Sequence, residues 1–241
     1  MADIRQIEDL VRYGRLHGDT LVLEPDVKLV FFNDLKIPYT LKISGNTSFQ
    51  GTGDQPTIDF ATNRPSICCS STAEHFTIAS LDVKSASGVE LFKFRRNFVR
   101  NITFLNTEFD VMNFGELSTR SLSVVHSGFK NKEQSPIILD PMNTLTICDV
   151  VHSSKYPLFD LTKSKAIRDN ITVHGMTMEN EGGLMIIGEQ DEEGMLDLSV
   201  IPKLGITVND IDMPIHNLLK IKQADGGIVT LPKELVKQYF L

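Results

Sequence analysis

The chain has no tryptophan and only four tyrosines among its 241 residues. Sugar-binding grooves commonly rest on exposed aromatic faces, and these absences count against a long glycan-cleaving groove. Cysteine is equally sparse, with Cys68, Cys69 and Cys148. Three thiols, two of them adjacent, form neither a disulfide framework nor a tetrahedral zinc pattern. Positive charge is in deficit, with 24 Lys and Arg against 31 Asp and Glu, a formal net charge of -7. That balance argues against sequence-independent nucleic-acid binding, which needs cations to displace phosphate counterions. No run approaches the ~20 apolar residues of a membrane helix, so membrane insertion is not expected. The opening Met1-Ala-Asp-Ile-Arg has no basic segment followed by an apolar one, so no secretory signal is read and a virion or cytoplasmic location is expected. There is no Gly-x-Ser-x-Gly elbow, no phosphate-binding Gly-rich loop and no zinc spacing, so neither cofactor nor metal is expected.

What is present is a core-forming composition, 41% hydrophobic and 23% charged, arranged in short β-rich runs. Ile4, Ile7, Leu10 and Val11 fall at helical spacing near the start, and Pro232 is placed to open a helix carrying Leu235, Val236, Tyr239 and Phe240. Between these ends the chain is rich in Val, Ile, Thr and Phe, broken by Gly, Asn, Asp, Ser and Pro.

The runs repeat. Six segments align on an apolar, Thr or Ser, apolar triplet, starting at Phe76, Ile102, Leu122, Leu145, Ile171 and Ile206, with a weaker copy at Leu41-Lys42-Ile43. A second apolar run follows each triplet. The spacing of 20 to 35 residues suggests a solenoid, in which each coil buries its apolar side only by stacking on its neighbours. Because strand side chains alternate, the middle Thr or Ser faces outward while its neighbours face in. A leucine-rich repeat is the alternative, but leucine does not dominate and each coil has at least two β-rich runs. The fold class expected is all-β, a parallel β-helix with short helical caps. Residues 1–18 would form an N-terminal cap, 19–225 the solenoid, and 226–241 a C-terminal cap or assembly segment.

Thr20-Leu21-Val22-Leu23-Glu24-Pro25-Asp26-Val27-Lys28-Leu29 resembles the first coil of phage tailspike and pectin-lyase-like proteins. Gly51-Thr52-Gly53-Asp54-Gln55-Pro56-Thr57-Ile58, read loosely, does so too. With the Thr-containing triplets, the variable coil lengths and Asn101 and Asn170 before strands, residues 19–225 resemble the pectate-lyase-like superfamily of right-handed parallel β-helices. The resemblance implies that handedness, and homotrimeric assembly of a phage virion component engaging a glycan or another protein. The Ca²⁺-binding Asp residues and Arg base of pectate lyases have no matching motif here.

In a solenoid, equivalent positions on neighbouring coils form columns. The position four after each triplet start gives Ser80, Asn106, His126, Asp149, Gly175 and Asp210. His126 with Asp149 is a candidate acid-base pair, since a carboxylate can orient an imidazole, and Asn106 a candidate ligand-binding residue. The position six after each start gives Asp82, Glu108, Gly128, Val151, Thr177 and Asp212. Asp82 with Glu108 is a second candidate, since adjacent carboxylates can split into acid and base. Asp140 and Asp160 are a third, with Ile137 read as the partner of Leu158. Arg95, Arg96 and Arg100 cluster at one turn and could bind a sugar carboxylate or phosphate. The acidic stretch Gly188–Gly194 reads as a solvated loop. Every column has a plainer reading as an exposed polar ladder. The expected function is a non-enzymatic structural or recognition protein, with a lyase or glycoside hydrolase and an intracellular binding module as alternatives.

Overall fold

The computed structural model describes the chain except residues 71–72, 86–87, 95–96, 131–135, 141–142, 165–169, 181, 198–204, 212–213 and 241. The strands fall into one sheet of fourteen and one of twelve among the described residues. Pairing is parallel nearly throughout. The antiparallel pairs are Gly14–His17 with Thr20–Leu23, Met185–Gln190 with Leu196–Asp197, and Leu219–Lys222 with Ile228–Thr230.

The pairing resolves into three ladders visited in rotation. Thr20–Leu23 belongs to the third ladder, Lys28–Phe31 to the first and Leu35–Ile37 to the second, after which Thr40–Ile43 returns to the third. The same order runs on through Ala73–Ala79 in the first, Asp82–Ser85 in the second and Phe92–Lys93 in the third. Thr144–His152 spans two ladders, its first half pairing with Thr119–Val125 and its second with Gly128–Phe129. The chain is therefore all-β, in long parallel sheets with small helices, an arrangement consistent with a β-helix-like solenoid.

The six aligned triplets stand in register. Phe76 pairs with Ile102, Ile102 with Leu122, Leu122 with Leu145, Leu145 with Ile171 and Ile171 with Ile206. The seventh copy lies elsewhere. Leu41 pairs with Ile67 in the third ladder, and Thr47-Ser48-Phe49 stands beside Phe76-Thr77-Ile78. Thr47 takes the inward apolar position, buried, with its hydroxyl donating to the Ser44 carbonyl at 2.9 Å. A search for apolar residues passes over it.

Inward positions meet in one core. Phe49 stands edge-on to Phe76 at 5.3 Å, Phe104 to Phe109 at 5.0 Å, and Phe109 stacks on Phe129 at 5.1 Å. The helical spacing from Ile4 to Val11 yields helix only over Ile7–Val11. Ala2–Ile4 is a strand whose alternate residues Ala2 and Ile4 are both buried beside Leu29–Phe31, so the period of two prevails there. The helix begins where the Asp9 carboxylate accepts the backbone N–H groups of Arg5 and Gln6, and it buries Leu10. At the other end Pro232 precedes the helix Lys233–Phe240, as the sequence predicts, and Val236 is buried.

Candidate functional site

The column four after each triplet start marks the bend between the first and second ladders. Ser80, Asn106, His126, Asp149, Gly175 and Asp210 all have positive φ, between 47° and 66°. A left-handed residue turns the chain sharply while both flanking strands stay in their ladders. Gly and, less readily, Asn, Asp and His tolerate this region, whereas Ser enters it only under constraint. Each of the first three donates its backbone N–H to the next coil at 2.9 Å: Ser80 to Leu105, Asn106 to Val125 and His126 to Cys148. These cross-coil bonds supply the constraint.

The column brings the candidate pair together. His126 Nδ1 lies 3.4 Å from Asp149 Oδ2, with both side chains about half exposed. The sequence reading missed a second pair two coils on, His174 Nδ1 to Asp210 Oδ2 at 3.2 Å. His174 is three residues past Ile171 and so opposes Cys148, three past Leu145. Reading one column earlier would have found it. Partial burial and the adjacent Asp149 carboxylate push the Cys148 thiol up, which makes it a weaker nucleophile at neutral pH. Asn106 is held by the column itself, its Nδ2 donating to Ser80 Oγ at 3.4 Å. Gly175 adopts a φ of 66° without strain, and a methyl group there would push the Asp149 carboxylate aside.

Asp82 and Glu108 are direct neighbours across the second ladder. Partial burial, and then the charge of Glu108, raise the Asp82 carboxyl above its usual range. Glu108 Oε2 is paired with Lys130 Nζ at 3.0 Å, and that hydrogen bond raises the lysine. The carboxylates border a charge ladder of alternating sign. Lys36 stands beside Asp59, Asp59 beside Lys84 and Lys84 beside Asp110. Lys130 extends it, since Phe129 pairs with Phe109. Lys84, Asp110 and Lys130 lie eight residues past Phe76, Ile102 and Leu122, so the triplet alignment carried two positions further reveals them. Opposite charges side by side on neighbouring strands stabilise a sheet, which is the plainer role of this region.

The remaining candidates come apart. Ile137 pairs with Phe159 and Ile138 with Asp160, one residue from the expected register. Asp160 turns back on its own chain, accepting from Thr162 N–H at 2.9 Å and Thr162 Oγ1 at 2.6 Å, and serves the turn. Arg100 pairs with Glu74 at 3.2 Å, and Arg95 and Arg96 lie outside the described residues. The stretch Gly188–Gly194 is partly strand, turning at Asp191 into an antiparallel hairpin.

An open groove of about 460 Å³ runs beside the turn column, lined by Asp149, Val151, Gly175, Met176, Thr177 and Asp210 among others. One carboxylate of each His–Asp pair thus faces it. No cluster of three or more metal-ligating side chains occurs among the described residues. Fold and site together define an all-β protein of stacked parallel strands with a polar turn column along one edge. Compared with known proteins, the chain matches no family model, no curated protein and no solved structure.

Proposed function

We propose that the chain is a non-enzymatic recognition protein built as a right-handed parallel β-helix. In this reading it is a tailspike-like virion component that engages a surface glycan through the turn column. The observation supporting it is the groove edged by Asp149 and Asp210, each carboxylate backed by an imidazole at 3.4 Å and 3.2 Å. Sugar hydroxyls need closely spaced acceptors and donors, which carboxylate and imidazole supply, and Val151 offers an apolar patch for the C–H face of a ring. The two pairs span four successive coils, with Asp149 and Asp210 two coils apart, which suits a ligand of more than one sugar unit.

The test is binding to a printed panel of neutral and acidic bacterial oligosaccharides, with chromatographic analysis of the bound sugars after prolonged incubation. At least one glycan is retained intact, and Asp149→Ala and Asp210→Ala each weaken it at least tenfold. Retention that neither substitution changes overturns the site, and retention of nothing overturns glycan recognition.

A second reading, a glycan-cleaving enzyme, rests on Asp82 and Glu108 standing side by side, with burial and the Glu108 charge raising the Asp82 carboxyl. It requires shortened products that disappear in Asp82→Asn.

A further inference from the structure

The outward face of the first ladder differs from the other two. Its central column is a row of hydroxyls on seven successive strands: Ser48, Thr77, Thr103, Ser123, Thr146, Thr172 and Thr207. On one side runs a polar uncharged column through Asn46, His75, Asn101 and Ser121. On the other runs Gln50, Ala79, Leu105, Val125 and Cys148, in which Leu105 is 40% exposed. From Asn46 to Asn209 these three columns hold no Lys, Arg, Asp or Glu among the described residues, in a chain that is 23% charged. Charges stop at the rim, where Glu74 pairs with Arg100 and Arg120 lies over Phe98. The second ladder carries the alternating Lys–Asp row, and the third carries Lys42, Lys93 and Glu116 on its outward side.

Interface centres are depleted of charge, and this face is depleted in the same way. We propose that this face is an isologous interface with a second copy of the same chain, packed hydroxyl row against hydroxyl row about a two-fold axis. Three arguments select that occupant. Hydroxyls both donate and accept, so the row is complementary to itself. Its repeat is the strand spacing of roughly 4.8 Å. A polymer or crystalline surface would have to share that repeat by coincidence, whereas a second copy shares it by construction. Seven strands and five residues per strand give about 500 Å² of flat face per copy, or about 1,000 Å² in the pair. That reaches the lower bound of a stable specific interface, about 1,000 Å² in total. The Ala79–Leu105–Val125 stripe supplies its apolar part.

The groove lies beyond the turn column and meets this face at His174, which stands beside Cys148 and backs Asp210, so the two proposals are tested at different residues. The test is molar mass by light scattering across a concentration series, for the wild type and for Thr103→Lys and Thr146→Lys. The wild type has about twice the 26.9 kDa chain mass, and each folded variant falls to one chain. Lys42→Glu, on the third ladder, leaves the dimer intact. A wild type that is monomeric at its highest soluble concentration overturns the proposal, as does a dimer or trimer that survives both lysines.

Thiol alkylation read by peptide mass gives an answer without substitution, should the variants fail to fold. Cys148 lies on this face and Cys68 on the third-ladder face, both partly exposed. Raising the protein concentration slows alkylation of Cys148 and leaves Cys68 unchanged. A Cys148 rate independent of concentration overturns the interface.

Discussion

The turn column reduces to one physical demand, a left-handed residue where each coil bends. Asn106, Asp149, Gly175 and Asp210 are residue types that meet it readily, and the column was legible in the sequence because it follows the triplets at a fixed distance. Its chemistry was less legible. Position alone puts His126 beside Asp149, but the second pair joins adjacent columns, His174 reaching across to Asp210. His152 went unread because it sits inward, between Phe129 and Met178 on the neighbouring strands. It is fully buried, and its Nε2 donates to the Tyr156 carbonyl at 2.7 Å while Nδ1 is buried without a partner. Burial pushes its pKa below the ordinary 6.5. Below about pH 6.5 the unfolded imidazole takes up a proton that the folded one refuses. Its contribution to stability is therefore complete above about pH 6.5 and is lost as pH falls toward the depressed folded value. The urea midpoint should fall between pH 7 and pH 5, and His152→Gln should flatten that slope. An unchanged slope in the variant would show that other groups carry the acid sensitivity.

Strands are set by alternation, and here the sequence was most informative. Apolar residues on both sides of an outward Thr or Ser gave six strands in their true register. The reading failed where one inward residue was polar, at Thr47, and where apolar runs had no outward marker, around Ile137 and Leu158. A one-residue slip there exchanges the two faces of a strand, which is why Asp160 was set opposite Leu139 rather than Ile138. Large inward residues do more than mark the period. Phe104 lies between Phe92, stacked at 5.7 Å, and Phe109, edge-on at 5.0 Å, and is itself fully buried. Phe104→Ala would leave a void between coils that stacked strands cannot close by local collapse. The expected loss is about 3–5 kcal/mol in chemical denaturation, with unchanged parallel-sheet signal in the folded baseline. A loss near 1 kcal/mol would mean that neighbouring coils slide to fill the gap.

For the whole molecule, stacking leaves a first coil with one apolar side and one row of unpaired backbone groups. The sequence predicted a helical cap over residues 1–18, because its periodicity was read as one element. The structure divides the task. Ala2–Ile4 pairs with Leu29–Phe31, Gly14–His17 pairs antiparallel with Thr20–Leu23, and the short helix between them lays Leu10 over the core. The strand covers the edge of the first ladder and the hairpin that of the third, Leu35–Ile37 ends the second, and the helix buries Leu10. A parallel stack is open to further parallel strands, so the antiparallel pair and the helix leave less of that template exposed. Deleting residues 1–17 uncovers Leu21, Leu29 and Phe31, each no more than 1% exposed in the intact chain. The truncated protein should melt at lower temperature and form assemblies that grow with concentration, detected by light scattering and thioflavin fluorescence. Adding Thr103→Lys to the truncation should leave that growth unchanged, because it proceeds through the uncovered end rather than the hydroxyl face. Growth abolished by Thr103→Lys would show instead that the chain end is not the vulnerable edge.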